Sequence, residues 1–265
     1  MARTPEATAL TRTFQKQQLT LTQAALRDLL RLWTAIVRPD DYSTFERFAE
    51  LAATLVGMRG RDSAGMAAAY YAAFRAAEGV AGASTPLLAQ PVAETAVAGT
   101  LRGAALVGAV AGRRAGQTPE QAARSAFARA SGSATRLILD SGRGTIARSV
   151  QADRQALGWI RVTDADPCAF CRMVASRGPE YKSAESAGRA KNDKFKGGGE
   201  FKWHDHCQCT AEPFYEGSKV PALNEQFDAE YTAAQKWARA NPDLAAKGTK
   251  NDALNNLRNY LAQRP

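Results

Sequence analysis

Both histidines and all four cysteines of this 265-residue chain lie between positions 168 and 209. They stand in two clusters: DPCAFC, with Cys168 and Cys171, and HDHCQC, with His204, His206, Cys207 and Cys209. Whatever this chain folds into has to account for bringing those two pieces together. A metal ion makes such a demand, because its ligands come from separated stretches and their closure supplies folding energy to a small domain. Four of Cys168, Cys171, His204, Cys207 and Cys209 are expected to hold a structural zinc ion, with His206 as a substitute donor and the remainder beside the site. A redox dithiol or a structural disulfide is the open alternative, since a lone C-x-x-C pair serves either chemistry.

Local patterning supports the convergence. GWIRVTDAD is β-branched and aromatic enough for a strand, and DPCAFCRMVASRG predicts a short helix capped by Asp166, with Pro167 at its first position and Gly178 closing it. Both thiols then sit on the first turn, where the positive end of the helix favours thiolate. A polar loop follows, with Gly197 to Gly199 as a flexible spacer and Trp203 flanking the second cluster. A second strand is expected to run out of HDHCQC through Pro213 to Tyr215, so that Cys207 and Cys209, two apart, face one side.

The rest of the chain reads as helix. Leu19, Ala25, Leu26, Leu29, Leu30, Trp33 and Ile36 recur near helical spacing before Pro39 stops the run. A second helix starts after Ser43, and AGMAAAYYAAFRAAEG forms a third apolar run ending at Gly79. Thr118, Pro119 and Gln121 make a T-x-x-Q capping box with proline at the first helical position, and the helix they open is expected to break at SGRG. In the tail, Asn241 is the expected cap of a helix carrying Leu254, Leu257 and Leu261 on one face. The predicted fold class is α+β: a mainly α-helical arm over 1–155, a small zinc-braced α+β domain over 156–216 and a helical tail over 217–265. Alanine-rich helices bury little apolar area each, so the arm is expected to be elongated or to gain burial from a partner.

With 45% hydrophobic and 23% charged residues the chain is globular in composition rather than disordered or fibrous. The first residues lack the continuous apolar core of a signal peptide, and the most apolar run, Gly103 to Gly112, is short and bracketed by Arg102 and Arg113. No membrane partner is therefore expected. The net charge of +9 is concentrated in 102–154, which holds nine arginines against three acids. Arg129, Arg136 and Arg143 recur at intervals of seven, a stripe suited to phosphates or acidic protein, or otherwise a solvated helix face.

Residues 157 to 215, with LGWIRVTDADPCAFC and FKWHDHCQCTAEPFY, resemble the C-terminal domain of the phage Mu F-like head morphogenesis family, minor capsid proteins of tailed phages, in the form found in phages of actinobacteria. That family's pattern is a C-x-x-C pair followed by a histidine and a C-x-C pair. Cys168 and Cys171 match the first pair, His204 the histidine, and Cys207 and Cys209 the last pair; His206 is additional. The helices ahead match only in general character, as a long arm rich in alanine and arginine. The resemblance implies a structural protein without catalytic residues. Its implied partners are the portal protein, the major capsid or scaffold proteins and phage DNA, and its place is the host cytoplasm during assembly, then the capsid interior near the portal.

The rival enzyme reading is a zinc-braced His-metal nuclease, which needs one histidine to activate water and a later one to hold the catalytic metal. No histidine follows His206 in this chain.

Overall fold

The computed structural model describes residues 2–164, 166–183, 185–186, 204–249 and 251–263. The spacer around Gly197 to Gly199 and Trp203 lie outside the described residues.

Four long helices dominate: α1 (Pro5–Ile36), α2 (Thr44–Ala77), α3 (Glu94–Arg114) and α4 (Pro119–Ala152). α1 starts well before the apolar spacing that announces it, because Thr4 accepts from the Ala7 amide at 3.1 Å and Pro5 occupies the first position. α4 opens with the expected reciprocal box between Thr118 and Gln121. At 1.5 Å per residue α2 and α4 each run about 50 Å.

Consecutive helices run antiparallel. Phe14 of α1 stacks on Tyr70 of α2 with centroids 4.5 Å apart, while Trp33 at the other end of α1 meets Phe45 and Phe48. The core is made of such aromatics and of alanines, Ala49, Ala52 and Ala53 from α2, Ala105 and Ala109 from α3, Ala126 and Ala130 from α4. Small residues let the backbones approach closely: a Cβ on Gly108 of α3 would lie 2.6 Å from the Ser125 carbonyl of α4. The helices thus bury their faces on one another, and no partner is needed to give them a core. α3 is, by length and composition, apolar enough to cross a membrane, beyond the short run seen in the sequence. Here its Val97, Leu101, Ala105 and Ala109 are buried in the bundle.

Between α2 and α3 the chain runs extended along α4. The Leu87 and Ala89 amides donate to the Ser149 and Thr145 hydroxyls, each at 2.9 Å.

A three-stranded antiparallel sheet follows, with β1 (Gly158–Val162) central between β2 (Glu180–Tyr181) and β3 (Thr210–Phe214). Gly158 pairs with Phe214 and Val162 with Thr210. The seven-residue α5 (Ala169–Ala175) lies between β1 and β2, and α6 (Ala222–Ala240) and α7 (Asp252–Ala262) complete the chain. Asn241, expected to cap the tail helix from its start, instead ends α6; α7 starts after Asn251 and buries Leu254 and Leu257.

The helices and the sheet share a core. Trp159, Ala211 and Tyr215 pack with Phe14, Tyr70, Tyr71, Phe74, Ile146 and Val150. Polar contacts cross the same boundary: buried Asp153, at the end of α4, accepts from Arg75 Nε of α2 at 2.9 Å and from the Tyr215 hydroxyl at 3.4 Å, and Thr11 of α1 donates to Glu212 of β3 at 2.7 Å. α6 is tied in by Asn224, whose amide donates to the carbonyls of Arg161 and Ala175, both at 3.0 Å.

Candidate metal centre

Two short pieces of chain build the site. Cys168 is the N-cap of α5, two residues later than the Asp166 cap expected from sequence, and Cys171 lies in the first turn. The second piece is the turn from His204 to Cys209. It is closed by the Cys207 amide donating to the His204 carbonyl at 3.2 Å, with His206 in the left-handed region at φ 63°. Cys207 and Cys209 precede β3 rather than lying on it. Spaced two apart, they still bring both sulfurs to Cys171.

Cys171 is the hub. Its Sγ lies 3.5 Å from Cys207 Sγ and 3.4 Å from His204 Nε2, and His204 Nε2 is 2.9 Å from Cys168 Sγ. Two metal-capable triads therefore share it: Cys168, Cys171 and His204, and Cys171, Cys207 and Cys209. A tetrahedral ion with sulfur at about 2.3 Å separates its sulfur ligands by roughly 3.8 Å, close to the spacing here. Cys171, Cys207 and Cys209 are each 2% exposed, whereas Cys168 faces solvent. All four thiols are free.

The protons and charges around the cluster suit a cation. Cys168 is pulled down to about 4 by hydrogen bonds from Cys171 and His204. Bonds from Cys171 and Cys209, reinforced by Arg143, lower Cys207, and Cys171, which donates to these neighbours, is pushed up. His204 rises to about 9 beside Cys168, and a bound ion would take the place of its Nε2 proton. Its Nδ1 donates to the Asp205 carbonyl at 2.5 Å, which leaves Nε2 as the ligating nitrogen. Asp164 Oδ1 is buried with no hydrogen-bond partner among the described residues, and burial and the nearby Cys207 and Cys168 raise its carboxyl. An orphaned carboxylate oxygen near Cys207 and Cys168 is an environment a bound dication would relieve. The donor set fits zinc: soft sulfur and imidazole, enough to fill four places without water.

His206, the substitute donor, is turned away. Its ring lies on α4, where Nε2 donates to the Ala128 carbonyl at 3.1 Å and where a Cβ on Gly132 would lie 2.4 Å from Nε2. The arginine stripe does not form one outward face. Arg143 is 3% exposed and donates to the carbonyls of Cys207 and Cys209; Arg136 pairs with Asp205 at 2.8 Å; of the three, Arg129 alone is exposed. Helical periodicity places the three on one stripe, but the cysteine turn packs over two of them. Sequence reasoning passed over Asp205, Ser133 and Gly132, which seat that turn on α4. They carried no local signal, because their partners are about 70 residues away.

The fold and the site together define a class: an antiparallel helical bundle bearing a four-cysteine, one-histidine metal-type knuckle. Residues 5–235 match the VG15 protein family, and the chain belongs to it. It is similar to the Gene 15 protein of Mycobacterium phage D29, at 31% identity over 150 residues, 46% of this chain and 54% of that protein. It is also similar to the Gene 15 protein of Mycobacterium phage L5, at 32% identity over 142 residues, 40% of this chain and 47% of that protein. The chain thus spans about half the length of these curated relatives. No solved structure matches it.

Proposed function

We propose that this protein is a minor capsid or head morphogenesis protein of a tailed phage, of Mu F-like type, acting structurally at the portal and procapsid interior. The observation that carries the reading is the convergence of Cys168, Cys171, His204, Cys207 and Cys209, the C-x-x-C, His, C-x-C pattern, in a chain whose family relatives are mycobacteriophage proteins. Zinc in this centre is structural: the protein supplies every ligand and leaves no open place for a reacting water. With His206 seated on α4, a nuclease would lack its second histidine, so the activity argued for is assembly rather than hydrolysis. DNA contact runs through exposed arginines such as Arg129, while Arg143 is buried against the Cys207 and Cys209 carbonyls.

The test is assembly. The chain is coexpressed with the portal, scaffold and major capsid proteins of its phage and the particles are purified. Cosedimentation with procapsids, and with portal alone, is the expected result; complete procapsids and portals from which the chain is absent overturn the reading. Native mass spectrometry of the purified chain reads the centre independently. One zinc with intact thiols is expected, and a metal-free chain with paired sulfurs replaces zinc by the redox or disulfide reading.

A further inference from the structure

Arg143 belongs to a helix that contributes no donor to the metal centre, yet its side chain ends inside it. Nε lies 3.0 Å and Nη2 2.8 Å from the Cys209 carbonyl, and Nη2 is 2.7 Å from the Cys207 carbonyl. The remaining arm donates to Asp140 at 3.1 Å, which Arg136 flanks. The guanidinium is thus spent on the backbone of the two residues whose sulfurs must converge. Its position is fixed from behind: a Cβ on neighbouring Gly142 would lie 2.6 Å from Ser63 Oγ, so α4 is pressed on α2 at this level.

We infer that Arg143 is a positioning residue of the metal centre, holding the Cys207 to Cys209 turn in the conformation in which both thiolates reach the ion. The inference rests on the metal reading above. Two effects act together. Three bonds to two consecutive-but-one carbonyls fix the turn before any ion arrives, which lowers the ordering cost of binding. Three or four thiolates around a dication also leave net negative charge in a buried place, and the guanidinium offsets it. A lysine is a point charge that cannot reproduce the planar fork, and a methionine supplies neither effect.

The test uses the full chain with cobalt(II) as a spectroscopic probe and zinc affinity from chelator competition. Arg143→Met is expected to lose zinc affinity by about 10–100-fold, the range for groups that orient metal ligands, and to change the cobalt ligand-field bands. Arg143→Lys is expected to recover part of the loss, and it carries the test if the methionine variant does not fold. Arg75→Met removes another buried arginine, the partner of Asp153, and is expected to lower stability while leaving the cobalt spectrum unchanged. An Arg143→Lys or Arg143→Met spectrum and affinity equal to the unsubstituted chain overturns the inference, as does an equal loss of affinity in Arg75→Met, which would make the effect one of general stability. An unsubstituted chain that binds neither cobalt nor zinc overturns the metal reading itself, and this inference with it.

Discussion

The bundle and the Cys/His region solve the same problem by different means. In the bundle, helices of 32 and 34 residues press aromatic and alanine faces together, and Trp33, Phe45, Phe48 and Phe127 form one contiguous set of rings. The Cys/His region has a two-residue β2, a seven-residue α5 and five-residue β1 and β3. Its own apolar cluster is Leu157, Ile160, Tyr181 and Phe214. Elements that short bury too little to hold themselves, so this region borrows core from the bundle through Trp159 and Tyr215 and gathers three buried cysteines where a second core would be. The difference lies in what fills each interior: aromatic rings and alanines in the bundle, three buried cysteines beside the short sheet.

The widest separation between the two regions should come from the metal. Cys171→Ser removes the donor common to both triads, and the expected outcome is loss of tight zinc binding, a contribution on the order of 10 kcal/mol for structural zinc. Hydrogen exchange should then speed up across α5, β3 and the turn from His204 while the α2 and α3 amides stay protected. Equal loss of protection in both regions would break the comparison. Cys168→Ser, at the exposed edge, should retain the ion through the other four donors. Next in size, Trp33→Ala leaves a cavity among three aromatic rings and should cost about 3–5 kcal/mol by chemical denaturation. Zinc affinity of the folded protein should be unchanged, because Trp33 packs on Phe45, Phe48 and Phe127 in the bundle core, and none of these is a donor.

How far these regions could be foreseen differs as well. The Cys/His convergence was legible because the residue types are scarce and stand in two tight clusters. The first helices were legible in their apolar spacing, yet α2 read as two helices and α4 as one broken at SGRG. The glycines responsible mark close packing rather than helix ends: a Cβ on Gly60 would lie 2.9 Å from Ser141 Oγ, and Gly142 meets Ser63 from the opposite helix. A glycine that makes room for a neighbouring helix and one that ends its own look alike in a single sequence. The direction of Arg143 was hidden for a related reason, since periodicity assigns a residue to a face without saying what covers that face.

The smallest predicted effect sharpens the account of that cover. Asp205 sits in the cysteine turn and accepts from Arg136 at 2.8 Å and from Ser133 at 3.0 Å, but both members of the ion pair are partly exposed, at 28% and 43%. Water screens such a pair, and its loss costs at most about 1 kcal/mol. Arg143 makes its bonds to the same turn in a buried place, where an unmet carbonyl cannot turn to water. Asp205→Ala should therefore lower stability slightly and move zinc affinity by no more than about three-fold, since the Arg143 fork still holds the carbonyls. Chelator competition on this variant beside Arg143→Lys decides the point. A loss in Asp205→Ala as large as that in Arg143→Lys would mean that the turn is held by its whole seat on α4, charged rim included, and that the buried fork has no special part in aiming the sulfurs.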